Sequence, residues 1–324
     1  MENKILSLSH NDLDGISCQL AIFEKYKKNI NFFNTSYNDI EKKLKILEDV
    51  ITINFKKIFI TDLYFKKNNF QQLEKIIKLN PNIKFIYIDH HEYEESEKEI
   101  IKKLKKYSNF IFIHSLKVSA SKLTFLALKL KNLDLKKLIE LVDIYDLWKE
   151  NNPKFKLAFF LNIIFWEITG KGFFTQIKIN KYKIPLNFKE IYKKVIKEKN
   201  IYFKELYKNN LIQIKNNILV GFVDHYKNFL IIENPNIKVF IIASISYYGI
   251  SIRISRAIPE NQAKDLKDQI LKFCKNNSFI NSAGGHTYAF GISIKNSIPF
   301  EIYLDIINQI KDIVLKFYNL NFYN

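Results

Sequence analysis

With 324 residues and 47% hydrophobic content, the chain has room for two ordinary domains and the apolar material to bury their cores. The net charge of +18 suits a polyanionic partner, yet all but two of the 51 basic residues are lysine spread along the whole chain, so much of that excess reads as solvated surface. The two cysteines form no CxxC, which argues against a disulfide framework or a cysteine-based zinc site. Asp12 and Asp14 interrupt the first apolar stretch, so no secretory signal is expected. The longest apolar run, residues 157–166, contains Asn162 and is too short to cross a bilayer. The expectation is a soluble, cytoplasmic protein with no membrane partner.

In chain order, short β-branched or aromatic runs at residues 4–8, 30–34, 57–61, 84–88 and 109–113 predict strands. Lysine-rich stretches with apolar residues at helical spacing, such as Ile16, Leu20 and Phe23, lie between them. This alternation predicts an α/β domain with a largely parallel sheet over residues 1–152, closed by helices at 118–131 and 135–144. Residues 153–217 read as a helical connection, since they lack the Gly and Ser runs of a flexible linker. From 218 to 324 the pattern predicts a second, smaller α/β domain. Its strands are expected at 218–223, 229–232, 239–246 and 250–254, followed by a helix at 260–275, a Gly284-Gly285-His286 turn, one more strand and a helix from Phe300.

The chemistry concentrates at predicted strand ends. Ser9-His10-Asn11-Asp12-Leu13-Asp14-Gly15 follows the first strand, Asp62 the third and Asp89-His90-His91 the fourth. Alternation along an extended segment would put His10, Asp12 and Asp14 on one side. A lone Asp after a strand is usually a cap or turn residue, but three such ends make capping a poor explanation for the set. Carboxylates with imidazoles at the carboxyl edge of a sheet suit divalent metals and phosphoester hydrolysis, in which two ions about 3.5–4 Å apart clamp the phosphate oxygens. In a chain that otherwise avoids arginine, Arg253 and Arg256 fall in one segment, and guanidinium can grip two phosphate oxygens. Gly284-Gly285 before His286 suggests close approach of backbone to a ligand.

Together these residues resemble the DHH phosphoesterase superfamily, named for its Asp-His-His triplet. The Gly284-Gly285-His286 segment with the upstream Ser251–Ser255 strand is similar to the DHHA1 domain of the phosphodiesterase branch. The opening motif is close to that of B-type nano-RNases. The resemblance implies a DHH domain joined to a DHHA1 domain and two divalent ions, best fitted by Mn2+. One would be held by His10, Asp12 and Asp62, the other by Asp14, Asp62, His90 and a fourth-motif aspartate, for which it favours Asp146 over Asp143. It implies that His91 faces the scissile phosphate, with Asp89 orienting the pair, and that Arg253, Gly284, Gly285 and His286 bind substrate. Short single-stranded RNA or DNA oligonucleotides are the expected substrates, with 3'-phosphoadenosine-5'-phosphate or cyclic mono- or dinucleotides as the alternative and a non-catalytic nucleic-acid-binding protein as a distant one. The oligomeric state is open, a homodimer included.

Overall fold

A computed structural model describes residues 4–50, 55–246, 248–295 and 297–322, and the chain divides into two compact units, Met1–Val195 and Ile196–Asn324. In chain order the first unit holds β1 (Lys4–His10), α1 (Leu13–Tyr26), β2 (Ile30–Thr35), a 3-10 turn (Tyr37–Asp39) and α2 (Ile40–Val50). Then come β3 (Phe55–Thr61), α3 (Lys67–Leu79), β4 (Lys84–Asp89), α4 (Glu95–Leu104) and β5 (Phe110–His114). It continues through α5 (Ala120–Ala127), α6 (Leu133–Asp146) and α7 (Phe155–Ile179) into α8 (Phe188–Lys208), inside which the boundary between units falls.

All five strands pair in parallel, in the order β2-β1-β3-β4-β5. Parallel neighbours need crossovers, and the intervening helices cover both faces. Side chains therefore alternate between two cores. Leu6, Leu8, Ile58, Ile60, Phe85 and Tyr87 pack on one face, while Ile5, Phe59 and Ile88 pack on the other with Ile22 and Leu123. Each of the larger ones contributes about 1.5–3 kcal/mol by leaving water. Because β2 and β3 lie on opposite sides of β1, the crossovers diverge there and leave a crevice beyond the carboxyl ends of β1 and β3. Register brings those ends level: Ser9 pairs with Thr61, and Thr61 with Ile88.

Residues 153–217 do not form a separate connection. α7 packs against α1 and α6 within the first unit, and residues 212–215 are a strand of the second. α7 is also longer than its apolar run suggested, because the helix continues past Trp166 to Ile179 with a break in helical geometry at Thr169 (φ 64°). By length and composition it could cross a membrane; Phe159, Leu161, Ile164, Phe165 and Phe173 are buried in the protein.

The second unit holds β6 (Ile212–Lys215), β7 (Ile218–Phe222), α9 (Lys227–Glu233), β8 (Val239–Ser244), β9 (Gly249–Ile254), α10 (Glu260–Lys275), β10 (Ile280–His286), β11 (Ala289–Ile294) and α11 (Phe300–Phe322). Its sheet runs β10-β11-β9-β8-β7-β6, antiparallel except for β7 with β8. Ile241, Ile252, Ile292, Leu266 and Ile310 lie in one core. Two expectations fail here. Residues 229–232 are helical, since Phe229 and Leu230 are both buried instead of alternating, and periodicity cannot distinguish so short an apolar run. Gly284-Gly285-His286 is the end of β10, and the turn comes after it.

Candidate metal centre

β1 ends at His10, and Asp12 caps α1: its Oδ1 accepts the Gly15 N–H at 2.9 Å. The expected extended run from His10 to Asp14 is therefore replaced by a strand, a cap and a first helical turn. A cap brings acidic side chains to a helix start, where the backbone N–H groups favour them. Gly15 is required by this close turn, because a Cβ there would lie 2.2 Å from the His10 carbonyl oxygen. Ser9 ties the ends together, its hydroxyl donating to Gly15 O at 2.7 Å and lying 2.7 Å from Thr61 Oγ1.

His10 Nδ1 lies 2.8 Å from Asp12 Oδ2 and 3.9 Å from Asp62 Oδ2. Asp62 is the residue after β3, buried, and held at φ 56°, a left-handed conformation that Asp adopts more readily than most residues. Its other oxygen, Oδ1, lies 3.3 Å from His90 Nε2, which is in turn 3.5 Å from Asp146 Oδ2. The potential ligand atoms of His10, Asp12 and Asp62 lie within 4.8 Å of one another, as do those of Asp14, His90 and Asp146, and those of Asp62, His90 and His91. Asp62 and His90 thus connect the groups.

Geometry separates the two aspartates of α6. Asp143 accepts from Ser119 N (2.9 Å), Lys122 Nζ (3.0 Å) and Lys149 Nζ (2.7 Å), so it is an ion-paired buttress. Asp146, one turn on, reaches the cluster. Asp143 still bears on the site, because Ser119 caps α5, and the first N–H groups of α5, from Ala120 and Ser121, donate to Asp14 at 2.8 and 3.1 Å.

Burial, followed by the charges of Asp12, Asp14 and Asp146, pushes the Asp62 carboxyl well above the usual carboxylate range. Burial likewise lifts Asp146 to about 8; His90 opposes the shift and Asp14 adds to it. Burial raises the Asp12 carboxyl as well, but the charge and hydrogen bond of His10 outweigh it and leave it well below the usual range. Asp62 Oδ2 and Asp146 Oδ2 are buried and accept no hydrogen bond among the described residues. Crowded, desolvated carboxylates with bare oxygens and imidazoles beside them are what a divalent cation satisfies. The residues fit a metal.

No family model matches the chain. A 3',5'-cyclic-nucleotide phosphodiesterase of Helicobacter pylori is 30% identical over 172 residues, 48% of this chain and 47% of that protein, so the chain spans about half the length of the curated relative it matches. The solved DHH domain of a protein described as a member of a family of ribosomal proteins superposes with a TM-score of 0.63 at 12% identity, covering 95% of this chain and 86% of that one. The chain has the DHH-domain fold. An uncharacterized Helicobacter pylori protein of 19% identity also matches, with a TM-score of 0.48, over 96% of this chain and 99% of its own.

In the DHH triplet, Asp89 turns away from the metal groups. Its Oδ1 lies 2.9 Å from His91 Nδ1, and Oδ2 accepts the Tyr93 hydroxyl. Burial opposes ionisation of Asp89, but His91 outweighs it and holds the carboxyl well below its usual range. Composition gave no reason to single out Tyr93, His114 or Tyr37. His114 Nε2 lies 2.7 Å from the His91 carbonyl oxygen and so braces the triplet. Register could have found it, since the end of β5 pairs His114 with Asp89.

In the second unit, β11 lies between β9 and β10, and the register pairs Ala289 with both Arg253 and His286. Gly285 has φ 135°, and a Cβ there would lie 2.7 Å from Ala289 O, so its glycine is needed by the sheet itself; at Gly284 a Cβ would meet nothing within 4 Å. Arg256 lies over the Tyr288 ring, 4.9 Å from its centroid. Burial and then the charge of the Arg253 guanidinium lower the Lys227 ammonium.

Proposed function

We propose that this chain is a metal-dependent phosphodiesterase that hydrolyses short single-stranded oligonucleotides to mononucleotides. The observation that carries the reading is the union of His10, Asp12, Asp14, Asp62, His90 and Asp146 at the crevice beyond β1 and β3. His10, Asp12 and Asp62 would hold one divalent ion and Asp14, Asp62, His90 and Asp146 a second, with Mn2+ suited to the mixed donors. When bound, the ions would neutralise charge on the transferring phosphoryl group and activate the attacking water.

The remaining roles belong to side chains. Asp89 holds His91 by Nδ1 and so orients the ring, which would face the phosphate. Arg253 would bind a phosphate oxygen pair from the second unit, with Lys227 adding positive charge, and Gly284, Gly285 and His286 would contact the rest of the substrate. A second reading, hydrolysis of 3',5'-cyclic nucleotides by the same groups, is favoured by the likeness to the Helicobacter pylori 3',5'-cyclic-nucleotide phosphodiesterase.

The test is an assay of purified protein with Mn2+ on a dinucleotide, a 3',5'-cyclic nucleotide, 3'-phosphoadenosine-5'-phosphate and a labelled length series. Fastest turnover on roughly two to five nucleotides, with a shallow salt dependence, is expected, because a short substrate meets few lysines. Turnover of the cyclic nucleotide alone would select the second reading. A steep salt slope with preference for long strands would contradict both.

A further inference from the structure

His91 is fixed from several directions. Asp89 Oδ1 is 2.9 Å from Nδ1, Asp89 Oδ2 accepts the His91 backbone N–H at 3.3 Å, and His114 reaches the His91 carbonyl at 2.7 Å. One more contact comes from an element that carries no motif residue. The Tyr37 hydroxyl lies 3.0 Å from His91 Nε2.

How Tyr37 gets there is readable from the chain. β2 lies beside β1 with Thr35 paired to His10, so the residues just after β2 emerge next to the first histidine. The Ser36 hydroxyl donates to Asp39 Oδ2 at 2.7 Å and closes the 3-10 turn, and buried Ile40 and Leu44 anchor the following helix. The Tyr37 ring then lies against His10, with ring centroids 4.4 Å apart and planes tilted by 33°, and meets His91 edge-on at 5.9 Å. One side chain touches imidazoles from both motifs.

The chemistry of the contact follows from Asp89. A carboxylate accepts only, so the proton between Asp89 and His91 sits on Nδ1, and in the tautomer that carries this one proton Nε2 presents a lone pair. A tyrosine hydroxyl, ordinarily protonated to about pH 10, is the donor that matches it. We propose that Tyr37 is a positioning residue for His91: its O–H donates to Nε2, fixes the Nδ1–H tautomer and aims the ring at the place where the scissile phosphate binds. This rests on the phosphodiesterase reading for its consequence but not for its geometry. Tyr37 has no metal-holding role in this assignment; its ring only packs on His10.

The test uses Tyr37→Phe, which keeps the ring and removes the hydroxyl. With six histidines in the chain, 15N spectra of the imidazoles are tractable, and His91→Gln identifies the His91 signals. In metal-free wild-type protein, His91 should show the Nδ1–H tautomer with a hydrogen-bonded Nε2. In Tyr37→Phe the Nε2 signal should move toward that of a non-bonded nitrogen. On a dinucleotide the variant should lose roughly five- to tenfold in kcat, with KM and Mn2+ affinity unchanged, as removal of one hydrogen bond supports. An unchanged His91 spectrum, or a fall in Mn2+ affinity with kcat intact, would overturn the assignment. If wild-type protein cleaves no phosphodiester, the functional reading fails by itself, and the spectrum still decides the contact.

Discussion

The crevice of the first unit and the β9–β11 corner of the second both carry residues that the sequence singled out, but they carry them differently. In the crevice, buried carboxylates crowd one another. Asp146 is lifted to about 8, and Asp62 is held at φ 56° with a bare oxygen. Nothing in the packing explains that arrangement, because an apolar or hydrogen-bonded replacement would cost less. At the β9–β11 corner ordinary packing accounts for more of the pattern: Gly285 is fixed by its own sheet, and Arg256 rests on a tyrosine ring. Unsatisfied chemistry is thus a sharper sign of function than residue type.

The comparison can be broken most decisively at Asp62. Asp62→Asn removes charge from a carboxylate that lies between His10 and His90, so both ion sites should suffer. Turnover should fall by more than the roughly 10–100-fold typical of losing an outer partner, whereas Tyr93→Phe, which removes a hydroxyl bonded to Asp89 and Tyr87, should stay within that range. Steady-state kinetics with metal analysis of each variant checks this. Equal losses would place Asp62 outside the metal groups.

Glycine substitutions come next. Gly15→Ala would drive a methyl group against the His10 carbonyl, so stability should fall by about 1–3 kcal/mol and metal affinity with it. In the other region Gly285→Ala should also lower the melting temperature, while Gly284→Ala should not. If Gly284→Ala nevertheless raises KM, the open side of that residue is where substrate sits. A smaller effect is expected at Arg253→Lys, which keeps the charge but loses the fork: KM should rise with Mn2+ binding unchanged. Loss of metal in that variant would contradict the assignment of Arg253 to substrate.

The smallest effect lies away from both regions. Lys78, Tyr107 and Lys103 surround Glu74 and, against the opposing effect of burial, lower its carboxyl to about 2. A lowered carboxylate stabilises the fold above its unfolded value of about 4.5, and that contribution is lost as pH falls through about 2. The stability gap between wild type and Glu74→Gln should therefore be full at about pH 6 and close toward about pH 2 in thermal melts. A gap independent of pH would mean that Glu74 acts by packing alone.

The parallel sheet was legible because each strand is a short β-branched run that stops at a chemically distinct residue. His10, Asp62 and Asp89 mark strand ends as clearly as any turn signal. The local path through Asp12 and Asp14 was not, since an Asp can continue a strand end or cap a helix, and only Gly15 with its missing side chain hints at the cap. Asp143 and Asp146 differ by one helical turn, and tertiary partners, Lys122 and Lys149, decide between them. Tyr37 was invisible among 18 tyrosines, because what sets it apart is the pairing of β2 with β1. In the second unit, residues 229–232 offered four apolar positions with no period to read, and the packing of Phe229 and Leu230 chose the helix.

The central claim is that the buried carboxylates and imidazoles of the crevice are arranged for divalent cations. Anomalous diffraction at the manganese edge, from crystals grown with Mn2+, tests it most directly. The account predicts one peak among His10, Asp12 and Asp62 and a second among Asp14, Asp62, His90 and Asp146, both lost in Asp62→Asn. Saturating Mn2+ with no peak at these residues, or peaks that survive the substitution unchanged, would contradict it.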